Sequence, residues 1–492
     1  MPKLSAPGPR DVRIVIVGAG FAGIGMATAL LEHGIDDFVV VERGTDVGGT
    51  WRDNTYPGAT CDVPSHLYSF SWALNPDWTR SFSPQSEIWE YLRSVARDRG
   101  VYDKCVFGAE LLEARWDADA VRWRVRTTAA EYIARFVVLA SGALCDPAIP
   151  DLPGLAEFAG PVFHSARWDH DVDVAGKRVA AVGTGASAIQ YVPEIASVAA
   201  HVDVYQRTAP WVLPRGDRAI GRRERWVYQH VPGAQWVARE SIYWGRELLV
   251  VGFAKRPALN AIPQRIARRH LNRQVRDPVL RARLTPSFRL GCKRVLISND
   301  WYPTLQRPNV DLISAAIDGV GPDAVRTADG VRHPADVIIF GTGFHVTDPP
   351  IADRFLDAGS VSLAKHWERG AAALRGCTVR GFPNLFFIIG PNTGTGHTSM
   401  IVMIEAHVSY IVDALATIER DALVAVQPRA DAQDRYNDEL QRKLIPSVWN
   451  SGGCRSWYLN EHGRNTTLWP DFTFRFRRAV RRFDPREYEI IA

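Results

Sequence analysis

The chain predicts an α/β protein with two parallel-sheet domains, and three observations carry that reading. An apolar run, Val12 to Val17, leads into Gly18-Ala19-Gly20-Phe21-Ala22-Gly23, with Glu42 nineteen positions past the last glycine. The same order returns as Val179 to Val182, then Gly183-Thr184-Gly185-Ala186-Ser187-Ala188, then Arg207 nineteen positions further on. Between about Arg215 and Leu290 the apolar spacing is helical and strand signals are few. Strand, glycine turn and helix N-terminus in that order make a phosphate cradle, because glycines let backbone N–H groups close on a pyrophosphate. The expected fold is therefore two Rossmann-like dinucleotide-binding domains, with a helical insertion in the second. Some seventy-five residues are too many for an ordinary crossover.

Each element has its own signal. After the first turn, a helix is expected over Ala22 to Leu31 and a strand over Phe38 to Glu42. A long Gly/Pro/Asp loop precedes a helix around Glu87 to Arg99. Val121 to Thr127 alternates apolar and polar residues as a half-buried strand does, and Phe136 to Ala140 reads as a buried one. Ala148 to Gly154 is a proline-punctuated linker. In the second domain Val202 to Tyr205 is a strand, and Val295 to Ser298 and Val337 to Phe340 are expected to return to the sheet. Leu385 to Ile389 then runs into the turn Gly390 to Gly396 and a helix from Thr398 to Leu415. The implied partition is 1–150 with 345–492, 151–215 with 291–344, and the insertion 216–290.

The residue after each second strand reads the nucleotide. A carboxylate repels a 2′-phosphate, whereas a guanidinium grips it with two charge-assisted hydrogen bonds. Glu42 therefore suits FAD or NAD at the first turn, and Arg207 suits NADPH at the second.

Composition fits a large folded enzyme. At 492 residues, 46% hydrophobic and 23% charged, the chain is long enough for two or three packed domains. A net charge of +5 argues for neither nucleic acid nor membrane as the main partner, and suits anionic cofactors. The arginines Arg475, Arg477, Arg478, Arg481 and Arg482, interleaved with Phe474, Phe476 and Phe483, read as a solvated face over buried aromatics. Six scattered cysteines form no Cys-x-x-Cys, so neither a metal site nor a dithiol centre is expected, and a reduced cytoplasm suits them. Met1 to Arg10 lacks the apolar segment of a secretory signal, and no uninterrupted apolar run approaches the roughly eighteen residues of a spanning helix. The Asn465-Thr466-Thr467 sequon is read as chance.

Three motifs carry a family resemblance over nearly the whole chain. Phe158-Ala159-Gly160-Pro161-Val162-Phe163-His164-Ser165-Ala166-Arg167-Trp168-Asp169 matches the Phe-x-Gly-x-x-x-His-x-x-x-Trp-(Pro/Asp) fingerprint of type I Baeyer–Villiger monooxygenases. Gly49-Thr50-Trp51, followed by Tyr56-Pro57-Gly58-Ala59-Thr60-Cys61-Asp62, resembles a second motif of that family, and Gly341-Thr342-Gly343-Phe344 a third. The loops Cys61 to Ser71 and Gly390 to Gly394 look more like the hydroxyacetophenone monooxygenase-like branch than the cyclic-ketone branch. The third glycine of the second turn is replaced by Ala188, which still permits close helix packing.

The resemblance implies an enzyme using FAD, NADPH and O2 to insert one oxygen next to a ketone carbonyl through a C4a-peroxyflavin, and also to oxidise sulfides. It implies a small ketone or sulfide as substrate and a cytoplasmic setting. On the match, Arg294 is the catalytic cation and Asp62 the carboxylate that orients it. Arginine suits that role because it cannot lose its proton. Lys293 joins Arg207 on the 2′-phosphate. Gly18, Gly20, Gly23, Glu42, Gly49, Thr50, Trp51 and Asp62 would hold FAD, with Asn392 in the Gly390 to Gly396 loop. Gly183, Gly185, Ser187 and Trp457 would serve NADPH, Trp457 in a C-terminal segment, Ser456-Trp457-Tyr458, that closes over the nucleotide. His164 is expected to couple domains rather than transfer protons. The alternatives are a heteroatom (N- or S-) oxygenase without ketone activity, and a flavin reductase or silent regulator.

Overall fold

In a computed structural model, residues 8–491 are described; the expectation for Met1 to Arg10 falls largely outside them. The first sheet runs in the order Phe355–Leu356, Leu111–Asp117, Arg122–Thr127, Glu131–Leu139, Arg10–Val17, Phe38–Glu42, Cys105–Phe107, with Leu385–Phe387 also paired to Glu131–Leu139. Its centre is parallel, pairing Val17 with Leu139 and with Val41. Phe38–Glu42 is wholly buried, and a strand covered on both faces reads as a continuous apolar run, here Phe38 to Val41. Helices Phe21–Glu32 and Met400–Arg420 pack against each other on this sheet.

The second sheet is parallel throughout, in the order Val310–Ile313, His201–Tyr205, Arg178–Val182, Val337–Phe340, Val162–His164. Val337–Phe340 joins it as expected. Leu296–Ile297 does not: it pairs only with Val212–Leu213 in a separate two-stranded ribbon. The edge position belongs to Val310–Ile313, whose run is broken by the exposed Asp311. From Arg222 to Arg283 the chain is helical: Arg222–His230, Ala234–Glu247, a π-helical turn Val251–Lys255, the 3-10 turn Pro257–Asn260, Ala261–Gln274 and Pro278–Arg283.

One expectation needs correction. Cys292 and Cys454 form a disulfide across a separation of 162 residues, so wide spacing did not mean unpaired thiols. Cysteine usage therefore no longer argues for a reducing compartment. The 21-residue helix Met400–Arg420, whose most apolar 18-residue window has a mean hydropathy of 1.6, is enough by length and composition to cross a bilayer, although Glu405 and Asp413 interrupt its apolar run. Two-thirds of that window, 67%, is buried within the protein, which suits a core helix. Of the C-terminal phenylalanines, Phe476 and Phe483 are buried as expected but Phe474 is exposed. Asn465 is fully buried, in keeping with a chance sequon.

Candidate active site

The two glycine turns are built alike. At Gly18, where φ is +103°, a Cβ would lie 2.9 Å from the Ala140 carbonyl oxygen; at Gly183, with φ +116°, it would lie 2.5 Å from that of Gly341. Each turn thus packs against the residue that follows the neighbouring parallel strand. A Cβ on Gly23 would fall 1.8 Å from the Gly18 oxygen, so this position admits only glycine. Gly20 meets nothing nearer than the Gly49 Cα, and Gly185 nothing nearer than the Gly341 oxygen at 3.9 Å, so both turns keep a face free of side chains. Buried Glu42 accepts from the Ala19 N–H at 2.8 Å, the Gly44 N–H at 2.7 Å and Arg52 Nη1 at 2.9 Å. Three of the carboxylate's four or so acceptor positions are filled, leaving it oriented with capacity for one more donor. This donor and acceptor set fits a dinucleotide at the first turn.

The loop carrying Gly49, Thr50 and Trp51 ties the two turns together. Thr50 opens the short helix Thr50–Asp53, and Trp51 Nε1 donates to Tyr68 Oη at 3.0 Å. Further along, Tyr56 Oη donates to Gln190 Oε1 at 3.0 Å, and Gln190 Nε2 donates to the Thr60 carbonyl at 3.0 Å. Gln190 lies on the helix Ala188–Ile195 that follows the second turn, and Ser187 precedes that helix, beside the Tyr56 hydroxyl and without a side-chain cap bond. Burial pushes that hydroxyl up to about 12, so it stays a proton donor at neutral pH.

The loop ends at Asp62, where the central contact forms. Arg294 Nε and Nη2 donate to the two Asp62 oxygens, each at 2.7 Å. This fork-on-fork pair fixes the guanidinium plane. Burial by itself would raise the Asp62 carboxyl, but Arg294 and then Arg246 override it and hold the group below its ordinary value. The Arg294 side chain keeps 36% of its exposure and Asp62 25%, so the pair borders open space. Lys293 is lowered by burial and then by the nearby Arg207, which brings two cations together at the second turn.

Four further residues that the sequence singled out take the following places. Trp457 is half-exposed, and the neighbour within electrostatic reach of Arg294 is buried Tyr458. The Asn392 amide nitrogen donates to the carbonyls of Asn465 at 2.9 Å and Leu468 at 3.2 Å, and its backbone N–H to that of Thr466 at 2.8 Å, so the residue braces the C-terminal loop and leaves its buried Oδ1 without a partner. His164 is buried, accepts from the Ala166 N–H at 3.1 Å, and is lowered to about 4 by burial and by Arg167, so it is neutral at physiological pH. Cys292, next to Lys293, is bonded to Cys454, and Arg289 donates to the Gly452 carbonyl at 3.0 Å. The arginine-bearing and C-terminal segments are thereby stitched together.

Sequence reading missed a second set of polar groups from the helix Ala234–Glu247. Arg246 donates to the carbonyls of His397 at 3.2 Å and Asp62 at 3.4 Å. Buried Glu247 pairs with His397 Nε2 at 3.0 Å and accepts from the N–H and hydroxyl of Thr473 at 2.9 and 2.7 Å. With one carboxylate between two guanidiniums, the charge at Asp62 sums to a net positive. The only available signal was their i, i+1 place on a helix, which any surface pair shares.

Two nucleotide cradles in a chain that also fixes a guanidinium define a two-nucleotide oxidoreductase. Residues 15–219 match the family model for pyridine nucleotide-disulphide oxidoreductases. A Baeyer–Villiger monooxygenase from Streptomyces coelicolor is 48% identical over 482 residues, covering 98% of this chain and 93% of that protein. One from Pseudomonas aeruginosa is 45% identical over 483 residues, covering 98% and 92%. The crystal structure of cyclohexanone monooxygenase from Rhodococcus sp. Phi1 bound to NADP+ superposes with a TM-score of 0.86 at 27% identity, covering 98% of this chain and 99% of that one. The chain belongs to the Baeyer–Villiger monooxygenase family.

Proposed function

We propose that the protein is an FAD- and NADPH-dependent monooxygenase that inserts one atom of O2 beside the carbonyl of a small ketone, giving an ester or lactone, and that it also oxidises sulfides. The bidentate Arg294–Asp62 contact is the observation that carries this reading. When bound, FAD would pass electrons from NADPH to O2 and so supply an anionic oxygen donor. This chain's own part is to hold a permanent cation beside that anion and to keep it oriented. Asp62 fixes the plane of Arg294, and Arg246 keeps the local charge positive after Asp62 has neutralised one guanidinium. Glu42 and the first glycine turn hold the flavin nucleotide; Arg207 and Lys293 take the 2′-phosphate. In this reading 1–150 with 345–492 binds FAD, 151–215 with 291–344 binds NADPH, and 216–290 covers the junction. The loops Cys61 to Ser71 and Gly390 to Gly394 shape the substrate pocket in the manner of the hydroxyacetophenone monooxygenase-like branch.

The test is to purify the protein with its flavin and follow NADPH consumption and product mass across a panel of aryl and aliphatic ketones and sulfides. Esters 16 mass units above the ketone support the proposal, the mass being that of one oxygen atom. Sulfoxides without any ester, or NADPH consumed only to hydrogen peroxide, reject it.

A further inference from the structure

The net charge of +5 hides an uneven distribution. Residues 216–290 carry sixteen Lys and Arg against five Asp and Glu, a net of +11, so the rest of the chain sums to −6. The same stretch, under a sixth of the sequence, holds twelve of the twenty-four large apolar side chains exposed among the described residues. Single exposed apolar residues need no explanation, but a concentration of them among cations does.

The helix Ala234–Glu247 shows how they are displayed. Its inward positions, four residues apart, are Gln235, Arg239, Tyr243 and Glu247, all buried. Each is tied down. Gln235 donates to the Asn75 carbonyl, Arg239 to those of Leu67 and Ser69 at 3.1 and 2.8 Å, and Tyr243 shares a 3.0 Å hydrogen bond with Thr473. Glu247 has the His397 and Thr473 contacts described above. The outward face carries Trp236, Trp244 and Leu248, which are 56%, 52% and 70% exposed, together with Val237. A helix at a water-facing surface normally buries its apolar stripe and exposes its polar one. This helix does the reverse.

The apolar face extends beyond one helix. Trp244 lies 5.9 Å from the ring of exposed Phe474, beside Arg475 and Arg478. The adjoining helix Arg222–His230 adds exposed Trp226 and the cations Arg222, Arg223 and Arg225.

We propose that this face seats the protein on the surface of a bilayer containing anionic lipid, lying in the interface without crossing it. Tryptophan, with an apolar ring and one N–H, favours that boundary, and arginine reaches headgroup phosphates while its stem lies along apolar surface. Charge selects this occupant over a second copy of the chain, because an isologous dimer would set +11 against +11.

The test uses the full-length, flavin-loaded protein and sucrose-loaded vesicles of phosphatidylcholine with or without phosphatidylglycerol. The protein should co-sediment at least about tenfold more with the anionic vesicles and be released as salt is raised. Trp236→Ser with Trp244→Ser should lower binding to the anionic vesicles at least about tenfold, with flavin absorbance and circular dichroism showing that it is folded. Wild-type tryptophan fluorescence should also be quenched by brominated acyl chains, a readout that needs no variant. No binding to anionic vesicles overturns the proposal, as does unchanged binding by the folded double variant. So does a concentration-dependent dimer that the double variant abolishes in the absence of vesicle binding, which would assign the face to a second copy.

Discussion

Replacing Arg294 by alanine separates the two roles a half-buried ion pair combines. The guanidinium contacts both Asp62 oxygens at 2.7 Å, yet about a third of its surface and a quarter of the aspartate's remain exposed. Solvent screening therefore holds its contribution to folding to about 1 kcal/mol. Opposite a negative charge at about 4 Å, with an effective dielectric near 20, the same group contributes about 4 kcal/mol, or about three decades in rate. The larger effect is catalytic, so Arg294→Ala should stay folded and keep its flavin. Anaerobic stopped-flow should show flavin reduction by NADPH largely retained. Ester should fall by about 10³, with hydrogen peroxide accounting for the NADPH consumed. Arg294→Lys keeps a charge but loses the two-pronged contact, and should fall between the two. Ester formation within about tenfold of wild type in Arg294→Ala would refute the reasoning, since the charge would then be doing under 1.4 kcal/mol of work. A parallel loss of flavin reduction would refute it too, by making Arg294 a binding residue.

Two further outcomes follow from single contacts. Arg207→Ala should raise the KM for NADPH by about 10- to 100-fold, the range of one lost charge-assisted hydrogen bond of about 1.5–3 kcal/mol, and leave that for NADH nearly unchanged; equal effects on both would remove Arg207 from the 2′-phosphate. His407 accepts from the Ile389 N–H at Nδ1 and faces the Arg375 carbonyl with Nε2, both at 3.0 Å, so only its neutral form fits, and burial lowers it to about 4. The unfolded chain takes up that proton first, so stability is intact above about pH 6.5 and falls, by up to about 3 kcal/mol, as pH drops toward 4. Thermal unfolding between pH 7.5 and 4.5 should therefore decline less steeply in His407→Gln, and parallel declines would show that another group governs the acid limb.

What the sequence made legible follows from the range over which each signal acts. Strands next to glycine turns were readable because a continuous β-branched run and a turn are both local. Val310–Ile313 was passed over because Asp311 breaks its pattern, and Leu296–Ile297 was given the wrong sheet because no local pattern names a strand's partner. Asp62 and Arg294 stand 232 residues apart, so only the motif match joined them. No motif joined Cys292 to Cys454, or Arg246 and Glu247 to the loop at His397, and these appeared only with the coordinates. Net charge misled in another way: a sum over the chain erased the +11 that one stretch carries.

The inverted helix Ala234–Glu247 links that stretch to the active site. Turning it to bury Trp236, Trp244, Leu248 and Val237 would strip partners from Arg239, Glu247 and His397, and each buried group left unpaired costs about 1–3 kcal/mol, more when charged. Holding the polar face inward secures Arg246 against the Asp62 and His397 carbonyls. The outward stripe then forfeits burial free energy of about 1.5–3 kcal/mol per side chain. Roughly half of that surface is already shielded by neighbours, so a cover recovers about 3–6 kcal/mol, equivalent to a partition favoured by about 10² to 10⁴. A cover of this strength gives attachment that is reversible, because effectively irreversible anchoring takes a spanning helix. The catalytic junction thus fixes which face of the helix is inside, and the face left outside is the one that needs a lipid surface.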